Sequence, residues 1–198
     1  MYPLLVALRD DPGFALGVIV SGAHNTPLHD YSANQIRADG FRIVATIENL
    51  LYSGSNLAKG KSTAHLLDDL LTVLDAVTPD YLLVLGDREE VVAGALAGTY
   101  LGIPVVHLAG GDNTAPEKGD LDEQVRHAAT KLSHVHLTMH ESHAKRILAM
   151  GEEPWRVHVV GSGGVDRLRM EPDAGISALE SYFGHRVPEE YVVVIHHA

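Results

Sequence analysis

The runs YLLVLG at 81–86 and IPVVHLA at 103–109 are apolar without a break. A strand with one wet face alternates apolar and polar residues, so unbroken runs belong to strands covered on both faces. Between them VVAGALAGTYL has helical length and ends at Gly102. Strand, helix and strand in this order make a right-handed crossover between parallel neighbours, with helices covering the sheet. The fold class that follows is α/β, with a doubly wound, parallel, Rossmann-like sheet.

The same alternation runs along most of the chain. A helix over 3–9 is closed by Asp11-Pro12-Gly13, and strands are expected at 15–20 and 41–45 around a short helix at 31–39. The stretch 49–61 is polar and contains glycine, which predicts a loop. Ser62 or Thr63 then caps a helix to 78, which aligns Leu66, Leu67, Leu70, Leu71, Leu74 and Val77 on one face. Beyond 81–86 the pattern predicts helices at 90–101, 121–132 and 140–150. It places strands at 103–108, 134–138 and 156–160. The last strand runs into Gly161-Ser162-Gly163-Gly164 and a helix from Val165. A linker follows at 171–175, then a helix at 176–183 and a strand at 191–195. These boundaries divide the chain into a Rossmann-like domain over 1–170, its first strand missing, and a linker with the start of a second domain over 171–198. The chain thus reads as truncated at both ends.

Composition excludes several functions. With 26 acidic against 15 basic side chains the formal net charge is −11, the wrong sign for a broad nucleic-acid surface. Cysteine is absent, which rules out disulfides, thiolate nucleophiles and Cys-bound zinc. No apolar run approaches the roughly 20 residues of a membrane helix, and the first residues lack the basic region of a signal peptide. A cytoplasmic protein is expected, with no nucleic-acid or membrane partner.

Chemistry concentrates where strands end, the usual place for ligands in open parallel sheets. Asp87 follows the first apolar run in Gly-Asp-Arg-Glu-Glu, with Arg88 placed to meet an anion. His107 and Asp112 flank Leu-Ala-Gly-Gly after the second. Asp122 and Glu123 open the next helix, each four residues before a basic partner, Arg126 and His127. Gly161-Ser162-Gly163-Gly164 could offer backbone N–H groups to a phosphate. Local alternatives stay open at each position: Asp87 as a helix cap, His107, with period-2 placement in its strand, as a core or rim histidine, Asp112 as a turn residue, the 122–127 pairs as a solvated face, the glycine run as a tight turn. His134, His136, His140 and His143 cluster in sequence but match no zinc spacing, and no metal is expected.

Taken together, LVLGDREE, GIPVVHLAGGD, DEQVRHAATKLSHVHL, GEEPWRVHVVGSGGVDRL and the terminal VVVIHHA resemble the hydrolysing UDP-N-acetylglucosamine 2-epimerases of the sialic-acid pathway type. The resemblance covers nearly the whole chain, and its Gly-Asp-Arg form is closer to the hydrolysing branch than to the branch releasing UDP-N-acetylmannosamine. It implies the first domain of a two-domain GT-B fold, a UDP-sugar in the interdomain cleft, no cofactor, and self-association into a homo-oligomer. The implied reaction eliminates UDP to 2-acetamidoglucal, then adds water to give N-acetylmannosamine. By position, the resemblance assigns Asp87, Asp112, Asp122 and Glu123 to catalysis. It assigns Arg88, His107, Arg126, His127, Ser162, Gly164 and His196 to substrate binding. Three departures stand out: a longer loop over 113–121, Gly163 in place of a usual proline, and the absence of the Gly-Thr-Arg loop and of most of the second domain. The chain alone is accordingly expected to be weak or inactive. The rival readings are a GT-B glycosyltransferase and a non-catalytic sugar-nucleotide-binding module.

Overall fold

A computed structural model describes residues 1–27, 31–113, 121–188 and 190–194. In chain order the elements are α1 (Tyr2–Asp10), β1 (Val18–Val20), α2 (Ala33–Ala38), β2 (Ile43–Thr46), α3 (Asn56–Val77), β3 (Leu82–Leu85), α4 (Glu89–Leu101), β4 (Val105–Leu108), α5 (Asp122–Leu132), β5 (Val135–Thr138), α6 (Glu141–Ala149), β6 (Val157–Val159), α7 (Gly163–Met170) and α8 (Gly175–Phe183). All strand pairing is parallel, as the unbroken apolar runs require. The molecule is an α/β protein.

The strands form two sheets where one was expected. β1 pairs with β2, and β3–β4–β5–β6 pair in that order. In a parallel strand alternate residues turn their backbone groups to opposite edges. Val18 and Val20 bond toward β2, as Val18 N–H to Arg42 O and Ile47 N–H to Val20 O. Leu82 and Gly86 bond toward β4. Ile19 on β1 and Leu83 and Leu85 on β3 therefore turn their backbone groups away from these partners. The sheets are joined by packing, since Ile19 and Leu82 rest on the same core cluster.

That cluster is built on α3 and α4. Leu66, Leu70 and Leu74 are buried at i, i+4, i+8 spacing, and Ala93 and Ala97 let α4 approach closely. Each buried leucine contributes about 1.5–3 kcal/mol. A second cluster joins Val91, Ala95, Val105 and Ala129, tying α4 and β4 to α5.

α3 begins at Asn56, inside the stretch read as loop. Ser55 supplies the cap: its Oγ accepts the Ala58 N–H at 3.2 Å. Ser62, expected at the cap, is instead buried within the helix and accepts the Leu51 N–H at 2.9 Å. The tail also departs from expectation. Residues 191–194 form no strand and are exposed, Val192 at 87%. An apolar run alone does not make a strand; its backbone groups need a paired edge.

Candidate active site

Asp87 stands two residues beyond the end of β3 and Asp112 four beyond β4, so parallel register brings both loops to one rim of the sheet. Arg126 joins them. Its side chain is 4% exposed, and its guanidinium bonds the Asp87 carboxylate and donates at 3.2 Å to the Asp112 backbone carbonyl. A guanidinium withdrawn from water this far requires such partners. Asp87 does not cap α4; the cap position falls on Arg88, and the Asp87 carboxylate is turned to Arg126.

His107 forms the floor beneath this pair. It is fully buried, with Nε2 2.8 Å from the Gly86 carbonyl and Nδ1 3.3 Å from Thr130 Oγ1. The carbonyl fixes the proton on Nε2, and Nδ1 then accepts from the threonine hydroxyl. Burial pushes the His107 pKa down, partly offset by the bond to Gly86. With both nitrogens engaged and no exposed surface, His107 cannot make the direct substrate contact expected of it; it supports the Asp87 turn from below.

The loop after β4 is shaped by its glycines. A Cβ at Gly110 would sit 2.9 Å from His107 Nδ1. At Gly111, with φ of +78°, it would meet the His143 carbonyl oxygen at 2.4 Å. The loop therefore lies against α6, where Arg146 donates to the Gly111 carbonyl and His143 Nε2 stands 3.3 Å from Asp112 Oδ1. Both residues lie outside the set assigned from sequence. Their i, i+3 spacing on one helix was the available signal, but only the loop's position makes it meaningful.

The remaining predicted residues fall in three places. Arg88 and Asp122 line a cleft of about 270 Å³ with Glu89, Glu90 and Lys59. Glu123 and His127 pair along α5, Oε1 to Nε2 at 3.5 Å. Ser162 and Gly164 line a smaller hollow of about 180 Å³ with Leu85, Leu108 and Ala109, so the glycine run also lies at the strand-end rim. His196 lies outside the described residues, as does 114–120, most of the loop between Asp112 and Asp122.

The four clustered histidines disperse to different partners. His134 Nδ1 accepts the Val105 N–H, His136 bonds Glu152, His140 caps α6 and His143 meets Asp112. Among the described residues no group of three or more His, Cys, Asp or Glu side chains is arranged to hold a metal.

With this geometry in hand, comparison with known proteins places the chain. The family model described as UDP-N-acetylglucosamine 2-epimerase matches residues 6–198. The chain belongs to this family. Among the epimerase relatives, the UDP-N,N'-diacetylbacillosamine 2-epimerase (hydrolyzing) of Legionella pneumophila is 33% identical over 197 residues, 100% of this chain and 51% of that protein. The polysialic acid biosynthesis protein P7 of Escherichia coli is 31% identical over 193 residues, 98% of this chain and 49% of that protein. The chain spans about half the length of these curated relatives. Among solved structures, the Neisseria meningitidis UDP-GlcNAc 2-epimerase bound to UDP-GlcNAc superposes with a TM-score of 0.72 at 20% identity, covering 93% of this chain and 50% of that one. At that identity the likeness establishes the epimerase fold.

Proposed function

We propose that this chain carries the carboxylate half of a hydrolysing UDP-N-acetylglucosamine 2-epimerase, converting UDP-N-acetylglucosamine and water to N-acetylmannosamine and UDP. The observation that supports it most directly is the Asp87–Arg126–Asp112 bridge, which orders two carboxylate-bearing loops at one sheet rim. Elimination needs a base to remove the proton at carbon 2 and cationic or N–H groups to stabilise the departing diphosphate. Hydration then needs an acid to return a proton to carbon 2 on the opposite face. Asp87, Asp112, Asp122 and Glu123 supply the carboxylates for the proton transfers. Arg126 orients Asp87, Arg88 faces the adjoining cleft, and the Ser162–Gly164 turn supplies backbone donors for phosphate.

The sugar has a second candidate. The Legionella relative is named for UDP-N,N'-diacetylbacillosamine, which is therefore the competing substrate. Both share a 2-acetamido group and a leaving UDP, and the same carboxylates serve either.

The test is release of UDP, followed by a coupled assay, with the sugar product identified by NMR. It is run on the chain itself and on a chimera in which the chain replaces the first half of the Legionella relative. The proposal expects UDP and the free 2-epimer from the chimera with one of the two substrates. Sugar transfer to an acceptor with no free 2-epimer would identify a glycosyltransferase instead. Ligand binding without turnover, unaffected by Asp87→Asn, would identify a binding module.

A further inference from the structure

Asp112 is held unevenly. Its Oδ1 accepts the Asn113 N–H at 2.7 Å and lies 3.3 Å from His143 Nε2. Its Oδ2 has no hydrogen bond among the described residues, and the side chain is 45% exposed. The loop beneath is clamped by the same helix, through the Arg146 bond to the Gly111 carbonyl and the packing of Gly111 on the His143 backbone. His143 itself is directional. Among the described residues its Nδ1 is buried without a partner, and a proton there would be stranded away from water. The neutral ring therefore carries its proton on Nε2, the nitrogen that faces Asp112. A turn of the ring toward Oδ1, 3.3 Å away, would complete the hydrogen bond.

We propose that His143 is a positioning residue for Asp112: its Nε2–H pins Oδ1, so that Oδ2 alone is presented to the reacting carbon. This rests on the proposed function only for the meaning of "reacting carbon"; the pinning is a property of the folded chain. His143 does not touch substrate and acts through Asp112.

Two measurements test it. Long-range proton–nitrogen NMR on the 198-residue chain reads the imidazole tautomer of His143. The Nε2–H form is expected in the wild type, and in Asp112→Ala its Nε2 and Hε2 signals are expected to shift as the facing carboxylate is lost. A wild-type ring protonated on Nδ1, or Nε2 and Hε2 signals unaltered by Asp112→Ala, would overturn the proposal. The second compares His143→Gln, whose amide can still donate, with His143→Phe, which cannot. In whichever form turns over, His143→Phe lowers kcat by on the order of 10²-fold with KM nearly constant, and His143→Gln recovers most of the loss. Equal loss in both variants, or none in either, would also overturn it. If no form releases UDP, the functional reading falls, and the tautomer measurement alone decides the positioning.

Discussion

At the residue scale, long-range partners choose between roles that local sequence leaves open. Asp87 could equally have capped α4. Arg126, 39 residues away, draws it aside. The i,i+4 relation of Arg126 to Asp122 is visible in the sequence, but the reach to Asp87 is not, because it depends on how α5 packs against β4. His107 marks the same limit: period-2 placement identifies its strand face but not its depth, and Thr130 and Gly110 close over it. Two predictions belong here. Asp87→Asn lowers UDP release by about 10²-fold or more and also lowers the melting temperature, since it leaves the buried Arg126 guanidinium without its carboxylate, measured by coupled assay and calorimetry. A fully active variant would remove Asp87 from the mechanism. Ala109, just before the glycine pair, has φ of +66°, a conformation that strains any residue with a Cβ. Ala109→Gly therefore stabilises by up to about 1 kcal/mol in denaturant titration; a lowered midpoint would show that the alanine methyl contributes more than its strain costs.

At the element scale, hydrophobic pattern located the strands well because the central ones are covered on both faces. It misplaced the start of α3 because Lys59-Gly60-Lys61 looks like loop, whereas Ser55 and the Leu66–Leu70–Leu74 stripe extend the helix back through it. It misread 191–194 for the complementary reason: valines favour strands, but pairing needs an edge. The α3 account is testable by two substitutions of different size. Ser55→Ala removes a cap and costs about 1 kcal/mol. Leu74→Ala, at a site only 1% exposed, costs about 2–5 kcal/mol. Both are read as shifts in the urea midpoint, and equal small effects would mean that α3 does not carry the core.

At the scale of the whole molecule, stability is tied to pH through buried groups both beneath the rim and away from it. Glu152, with a side chain 2% exposed, bonds Lys131, His136 and Arg156 at once. Burial alone would raise its pKa, but the bond to Lys131 and the attraction of His136 and Lys131 outweigh it and pull the value below 4.5. Burial likewise holds His107 and His136 below 6.5. The signs agree. Below 6.5 the unfolded histidines bind protons that the folded ones refuse, and below 4.5 the unfolded Glu152 does the same. Stability is therefore fully present above 6.5 and falls with pH in two stages. A melting-temperature profile from pH 4 to 8 checks this, and a flat profile below neutrality would contradict it. Glu152→Gln removes this residue's share of the second stage and costs about 3 kcal/mol at neutral pH. The cost lies at the low end because Lys131, half-exposed, can turn to water.

The central claim is that the rim built by Asp87, Arg126 and Asp112 moves a proton at carbon 2 of a UDP-2-acetamido sugar. The most direct test is turnover of the chimera in D2O, with the free sugar examined by mass spectrometry and NMR. The account predicts one solvent deuterium at carbon 2 of the inverted product, and about 10²-fold less of that product from Asp87→Asn. Free sugar that keeps its original hydrogen and configuration at carbon 2 would mean simple hydrolysis, and would contradict the account.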